Sequence, residues 1–314
     1  MKKRWIAGIA LLLLIEANAQ IIYRNIQELP PSPITQEGFK EISFPDSKIS
    51  YCAIHQQNLM QYLFYKNKNM AAFNSPGPLK IGLCWWVSRF TYRAIMNTWL
   101  DKKVATKREK KIDESRFIKK ITFDLTFVQK LPFNNLSEFY KKFENSIDRQ
   151  LAKWQLRDTF SAFNRNIFYK TKPSFEIQNN HAMLAAKIIA EKKIAYVILK
   201  FPGEGGFFRR VGVTHSLLLF NYRMSLDKKC LIFDARDSNN RKGITLLSYC
   251  PNENRASFCQ TSFESPPDLD DKKLQNCFSK EDIAFYVQRL REMGKSYKSY
   301  QKVCTDNSPL NHLE

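Results

Sequence analysis

Apolar positions change their period along the chain. Over residues 84–100, Trp85, Tyr92, Met96 and Trp99 mark an apolar side, while Arg89, Arg93 and Asn97 recur every four residues as a polar stripe. That spacing predicts a helix. Residues 136–156 and 179–191 carry the same amphipathic pattern, and 58–65 reads as a short helix. Residues 121–128 alternate as a strand does, and the runs 194–201, 211–222, 229–234 and 244–249 read as further strands. A helix is expected over 281–293. Turn clusters punctuate the pattern at Asn74-Ser75-Pro76-Gly77-Pro78 and at Pro202-Gly203-Glu204-Gly205-Gly206. Helices come first and strands second, which is the order of an α+β fold. No internal repeat or low-complexity tract is present.

The first nineteen residues follow a different rule. Lys2, Lys3 and Arg4 precede an apolar run from Trp5 to Ile15, and Ala17-Asn18-Ala19 supplies a small-x-small cleavage site. These are the three parts of a secretory signal peptide. The run is much shorter than the roughly 20 apolar residues a spanning helix needs, so no integral membrane span is expected and the protein is expected to be secreted or periplasmic. The chain has 50 Lys and Arg against 30 Asp and Glu, a net charge of +20. Cleavage after Ala19 removes three of those basic and one of those acidic residues and leaves +18. This charge excludes an acidic solvating protein and suits an anionic envelope or polyanion surface. Residues 101–120, with nine basic and four acidic side chains, read as a solvated helical face or exposed loop.

Export makes disulfides possible. The cysteines are Cys52, Cys84, Cys230, Cys250, Cys259, Cys277 and Cys304. Seven is odd, so at least one is free or pairs between chains. None forms a C-x-x-C pair or has a His-x-x-x-His nearby, so structural zinc is not expected. Five lie after residue 229, which suggests a disulfide-stapled C-terminal region, and proximity favours Cys250–Cys259.

The candidate chemistry gathers at Gly82-Leu83-Cys84-Trp85-Trp86, at the head of the helix over 84–100. A thiol there meets the positive end of the helix dipole, which favours the nucleophilic thiolate. His215 heads the apolar strand Thr214-His215-Ser216-Leu217-Leu218-Leu219-Phe220, and the next strand ends at Asp234, with Asp237 three residues on. A hairpin turning near residues 225–227 brings residues 234–238 opposite His215. The two aspartates have opposite strand parity, so one faces the imidazole. Asp234, which ends the apolar run directly, is the expected orienting group.

In these features the sequence resembles a distant member of the papain-like cysteine peptidases. Their Cys-Gly-Ser/Ala-Cys-Trp signature is matched at Gly82, Cys84 and Trp85, with Ile81 and Leu83 departing from it. Their histidine follows the cysteine by about 130 to 150 residues; His215 follows Cys84 by 131. Their Asn or Asp comes next, as Asp234 does 19 residues later. The resemblance covers at most residues 78–240. It implies a split fold, with a cysteine-bearing helix packed on an antiparallel β half that holds the histidine. It also implies a cofactor-free thiol hydrolase acting on protein or peptide substrates through Cys84, His215 and Asp234, with Cys84 unpaired. The chain then divides into a signal peptide (1–19), an N-terminal extension (20–75), a catalytic domain (76–260) and a C-terminal disulfide-stapled helical segment (261–314). Pro78 stands where the family's oxyanion-hole glutamine is usual. Gln56, Gln57, Asn74 or the backbone N–H of Cys84 are the alternatives. Transglutaminase-like and cell-wall-hydrolysing thiol enzymes, and a non-catalytic basic binding protein on the same fold, are competing readings. Gly294-Lys295-Ser296 fails as a phosphate loop because Arg289 stands at its first glycine position. His55, His181 and His312 have no metal-ligand spacing.

Overall fold

A computed structural model describes residues 84–100, 113–124, 129–133, 136–163, 174–192, 194–201, 213–225, 229–240, 245–253, 255–260 and 283–287, with five further residues between 293 and 299. The proposed signal peptide, the N-terminal extension, the helix read over 58–65 and the Gly203 turn lie outside them.

Helix α1 (Cys84–Asn97) is the pivot of the fold. It packs on helices α2 (Glu114–Phe123) and α3 (Leu136–Phe163) on one side and on the sheet on the other. Trp86, Val87, Phe90 and Ala94 are fully buried. Of the polar stripe, Arg93 and Asn97 are buried as well, and Arg89 is half-buried. Arg93 donates to the carbonyls of Thr122, at 3.2 Å, and of Asp124, and to Ser296 Oγ. Asn97 Nδ2 donates to the Asp124 carbonyl at 2.6 Å. The stripe therefore meets the carbonyl end of α2, whose last C=O groups have no partners within their own helix.

Helix α2 begins where Asp113 accepts from the Arg116 N–H at 3.1 Å, an N-cap worth about 1 kcal/mol. It covers Ile121 to Phe123, the start of the strand expected over 121–128. Ile118 and Ile121 are buried at helical spacing, which places 121–123 in the helix. The rest of that run, 125–128, lies outside the described residues. The expected helix over 84–100 ends at Asn97. Beyond it Thr98–Leu100 forms β1, paired in parallel with β2 (Gln129–Leu131). In α3 the backbone leaves helical geometry at Phe143 (φ −114°, ψ 16°). The Phe139 ring there stacks among Phe90, Phe117, Phe133 and Phe143 at 5.5–6.4 Å.

Helix α4 (Phe175–Lys192) leads into an antiparallel sheet. Its strands are β3 (Ala195–Phe201), β4 (Val213–Met224), β5 (Leu231–Asp237), β6 (Thr245–Cys250), β7 (Arg255–Gln260) and β8 (Ala284–Val287), in the spatial order β7-β6-β5-β4-β3-β8. A bridge between Ala256 and Ile283 joins the two outer strands, so the sheet curls back on itself. All seven residues of β5 are buried. Rings of Tyr222, Phe233, Phe285 and Tyr249 form a chain of contacts at 6.0–6.5 Å. The α+β class is thus observed.

Two expectations fail at the C-terminal end. Residues 284–287, expected to be helical, form strand β8 on β3. Edge pairing overrides the helical spacing, because side chains of α4 complete the other edge of the strand. Gln178 donates from Nε2 to the Phe285 carbonyl (3.2 Å), and its Oε1 accepts from the Phe285 N–H (3.1 Å). His181 Nδ1 accepts from the Val287 N–H at 3.3 Å. Residues 284–287 therefore belong to the sheet, and the Met293 carbonyl accepts from Tyr92 Oη at 3.4 Å. The second failure is the expected Cys250–Cys259 bridge. Leu231 pairs with Tyr249, which puts Cys230 directly across from Cys250, whereas Cys259 lies opposite Leu246. The bridge is Cys230–Cys250, with Cα atoms 4.2 Å apart. Cys259 is also disulfide-bonded, to a cysteine outside the described residues. Among the described residues no helix is long and apolar enough to cross a membrane.

Candidate active site

Cys84 is the first residue of α1, and its thiol is free. Its side chain lies against β4, with Sγ 3.8 Å from the Thr214 carbonyl oxygen. Three further bonds fix the first turn of α1 to the sheet. Ser216 Oγ donates to the Cys84 carbonyl at 2.7 Å, Ser88 Oγ donates to the Ser216 carbonyl at 3.1 Å, and Tyr196 Oη donates to the Trp85 carbonyl at 3.2 Å.

His215 projects from β4 and reaches both sides of a relay. Its Nε2 lies 2.7 Å from Asp237 Oδ1, and the Cys84 side chain lies near enough to favour the charged ring. With Nε2 committed to the carboxylate, Nδ1 is the nitrogen left for the sulfur. The His215 side chain is 12% exposed and that of Asp237 2%. Burial works against a charged imidazole, but the Asp237 carboxylate and the Cys84 side chain outweigh it and raise the His215 pKa to about 10. The environment thus favours the imidazolium, the form that can donate from both nitrogens.

The carboxylate beside the His215 ring is Asp237, where Asp234 was expected. Asp234 accepts from Asn221 Nδ2 at 2.8 Å and from Arg223 Nη1 at 2.5 Å. The reason lies in the register. Near the turn, Asn221 pairs with Asp234; beyond Leu219 the count shifts, and Leu217 pairs with Asp237. Phe220 is the extra residue of a β-bulge. In an unbulged strand His215 would share a face with Asn221 and therefore with Asp234. The bulge reverses that relation and gives the face of His215 to Asp237.

Both oxygens of Asp237 are engaged. Oδ1 also accepts from the Asn239 N–H at 2.8 Å, and Oδ2 accepts from Thr245 Oγ1 at 3.3 Å. The bond from Asn239 closes an Asx-turn, a local motif favoured by aspartate. The sequence Asp237-Ser238-Asn239-Asn240 carries that turn signal, whereas Ser216, Ser88 and Thr245 have no comparable signature. The oxyanion candidates Gln56, Gln57 and Asn74, together with Pro78, lie outside the described residues. So do His55 and His312. His181 serves the α4–β8 contact, and among the described residues no group of three or more His, Cys, Asp or Glu is arranged to hold a metal.

Compared with protein-family models, curated proteins and solved structures, the chain matches none of them.

Proposed function

We propose that the protein is an exported thiol hydrolase of the cysteine-peptidase type, working through Cys84, His215 and Asp237. The observation that carries this reading is the grouping of a free thiol at a helix head with a buried imidazole that it influences, the imidazole being bonded in turn to a carboxylate held by two further donors. That order of groups is the logic of a nucleophile, its base and the group that orients the base. A helix headed by cysteine and packed on an antiparallel sheet supports the resemblance to papain-like peptidases. The Cys230–Cys250 bridge and the N-terminal pattern support export.

In the proposed cycle the Cys84 thiolate attacks a substrate carbonyl, forming the C–S bond and a tetrahedral oxyanion. A backbone N–H at the head of α1 is the proposed donor to that charge. His215 passes the Nδ1 proton to the leaving amine as the C–N bond breaks, which gives a thioester and a neutral ring. Neutral His215 then takes a proton from water. The water oxygen attacks the thioester, the C–S bond breaks, and acid and thiolate–imidazolium pair are released. Asp237 keeps Nε2–H directed away from the sulfur throughout. Protein or peptide amides are the proposed substrates, and the net charge of +18 after leader removal favours those lying on anionic envelope material.

The test is cleavage of a diverse fluorogenic peptide mixture by the full mature chain. Cys84→Ala should abolish turnover, and His215→Ala should lower it by about 10²–10⁴-fold, the usual worth of a positioned acid–base group. Cleavage that survives Cys84→Ala contradicts the proposal. No cleavage, together with an ordinary alkylation rate at Cys84, favours the non-catalytic binding protein.

A further inference from the structure

Ser216 follows His215 in β4, yet its side chain serves the cysteine helix. It is 1% exposed. Its hydroxyl donates to the Cys84 carbonyl, and its own carbonyl accepts from Ser88, one helical turn beyond Cys84. Successive residues of a strand point to opposite sides. Here one residue reaches the sulfur and its neighbour reaches the backbone of the same cysteine. We infer that Ser216 is a positioning residue, which with Ser88 clasps the first turn of α1 to the histidine strand and so sets the distance between the Cys84 sulfur and the His215 ring.

The alternative is that Ser216 and Ser88 only satisfy buried polar groups. The two roles separate physically. The His215 strand is fixed on its other flanks by β3, where Leu199 pairs with His215, and by β5. Losing the hydroxyl therefore leaves the strand in place, but it frees the head of α1 to move relative to the strand. A structural role costs stability alone. A positioning role also alters the chemistry of the sulfur, because its contact with the imidazolium depends strongly on distance.

The inference rests on the proposed Cys84–His215 pair, and its test keeps the two apart. Alkylation of Cys84 by iodoacetamide is followed against pH in wild type, His215→Ala and Ser216→Ala, with thermal melts in parallel. Wild type reacting faster than His215→Ala at pH 6 establishes the pair. Ser216→Ala is then expected to lose about tenfold of the wild-type rate at pH 6, the size of one buried hydrogen bond, and to shift its pH profile toward that of His215→Ala. If the alanine variant does not fold, Ser216→Thr and Ser216→Val replace it. They match in shape, but only threonine keeps the donor. Threonine should retain the fast reaction and valine should lose it. Ser216→Ala reacting within twofold of wild type at pH 6 with an unchanged profile, or Thr and Val behaving alike, overturns the inference while leaving the pair intact. Equal rates in wild type and His215→Ala overturn both.

Discussion

Replacing Asp237 by asparagine isolates the charge of the relay from its shape. Asparagine fits the site without rearrangement. Its Oδ1 can keep accepting from His215 Nε2–H and from the Asn239 N–H, and its Nδ2 can donate to Thr245 Oγ1, where the carboxylate now accepts. What is lost is one negative charge 2.7 Å from the ring nitrogen in a nearly dry site. Hydrogen bonds to charged groups contribute about 1.5–3 kcal/mol, so the imidazolium should be weakened by roughly 10- to 150-fold. Its pKa should fall from about 10 toward the ordinary value of 6.5. Asp234→Asn is the matched control, because Asp234 engages Asn221 and Arg223 instead. The assay is the proton affinity of the His215 ring, read from its NMR titration. Asp237→Asn should lower it about ten- to a hundredfold, one charge-assisted bond's worth. Asp234→Asn should leave it within about twofold, since that ion pair is partly solvated. Equal losses, or a larger loss in Asp234→Asn, would refute the assignment of Asp237.

Further outcomes follow from other parts of the molecule. Replacing Cys230 and Cys250 together by serine reopens a link spanning 20 residues, and urea melts should show about 3 kcal/mol of lost stability in the chain-entropy treatment. His181 is held below 6.5 by burial and accepts the Val287 N–H in its neutral form. Its contribution is fully present above 6.5 and is lost as pH falls through its lower folded value. His181→Gln should therefore flatten the acid limb of melting temperature against pH; an unchanged limb contradicts that role. The linkage of His215 has the opposite sign. Its stabilisation is fully present below 6.5 and disappears as pH rises through about 10, so His215→Ala should remove an alkaline loss of stability seen in wild type. Arg93→Met should cost about 1–3 kcal/mol in a denaturant melt, because it takes the buried donor from the Thr122 carbonyl, while Asn97 still serves that of Asp124.

The parts of this architecture that were legible in the sequence are those set by local pattern. The helix headed by Cys84, the strand carrying His215 and the strand leading to Asp237 each announce themselves through apolar spacing. The bulge at Phe220 does not, because an apolar run reads the same with or without an extra residue. That single residue decided between Asp234 and Asp237. The Asx-turn signal at Asp237 to Asn240 pointed the right way, against the simpler idea that a residue ending an apolar run is best held. Arg93 and Asn97 were legible as a polar stripe, but not what they meet, because helical spacing cannot distinguish water from the carbonyl end of another helix. Strand β8 was hidden for a related reason: its hydrogen bonds run to β3 and to Gln178 and His181, more than 80 residues away in each case. Strand β7 and the Cys230–Cys250 bridge likewise depend on strand pairing, which spacing between cysteines does not encode.

The central claim is that Cys84, His215 and Asp237 form one electrostatic unit. It is tested most directly by ¹⁵N NMR of the His215 ring, assigned by difference from His215→Gln among only four histidines. The account predicts that both ring nitrogens are protonated at pH 8, that the ring titrates near pH 10, and that Cys84→Ala and Asp237→Asn each lower that midpoint. A neutral ring at pH 8, titrating near 6.5 and indifferent to both substitutions, would contradict it.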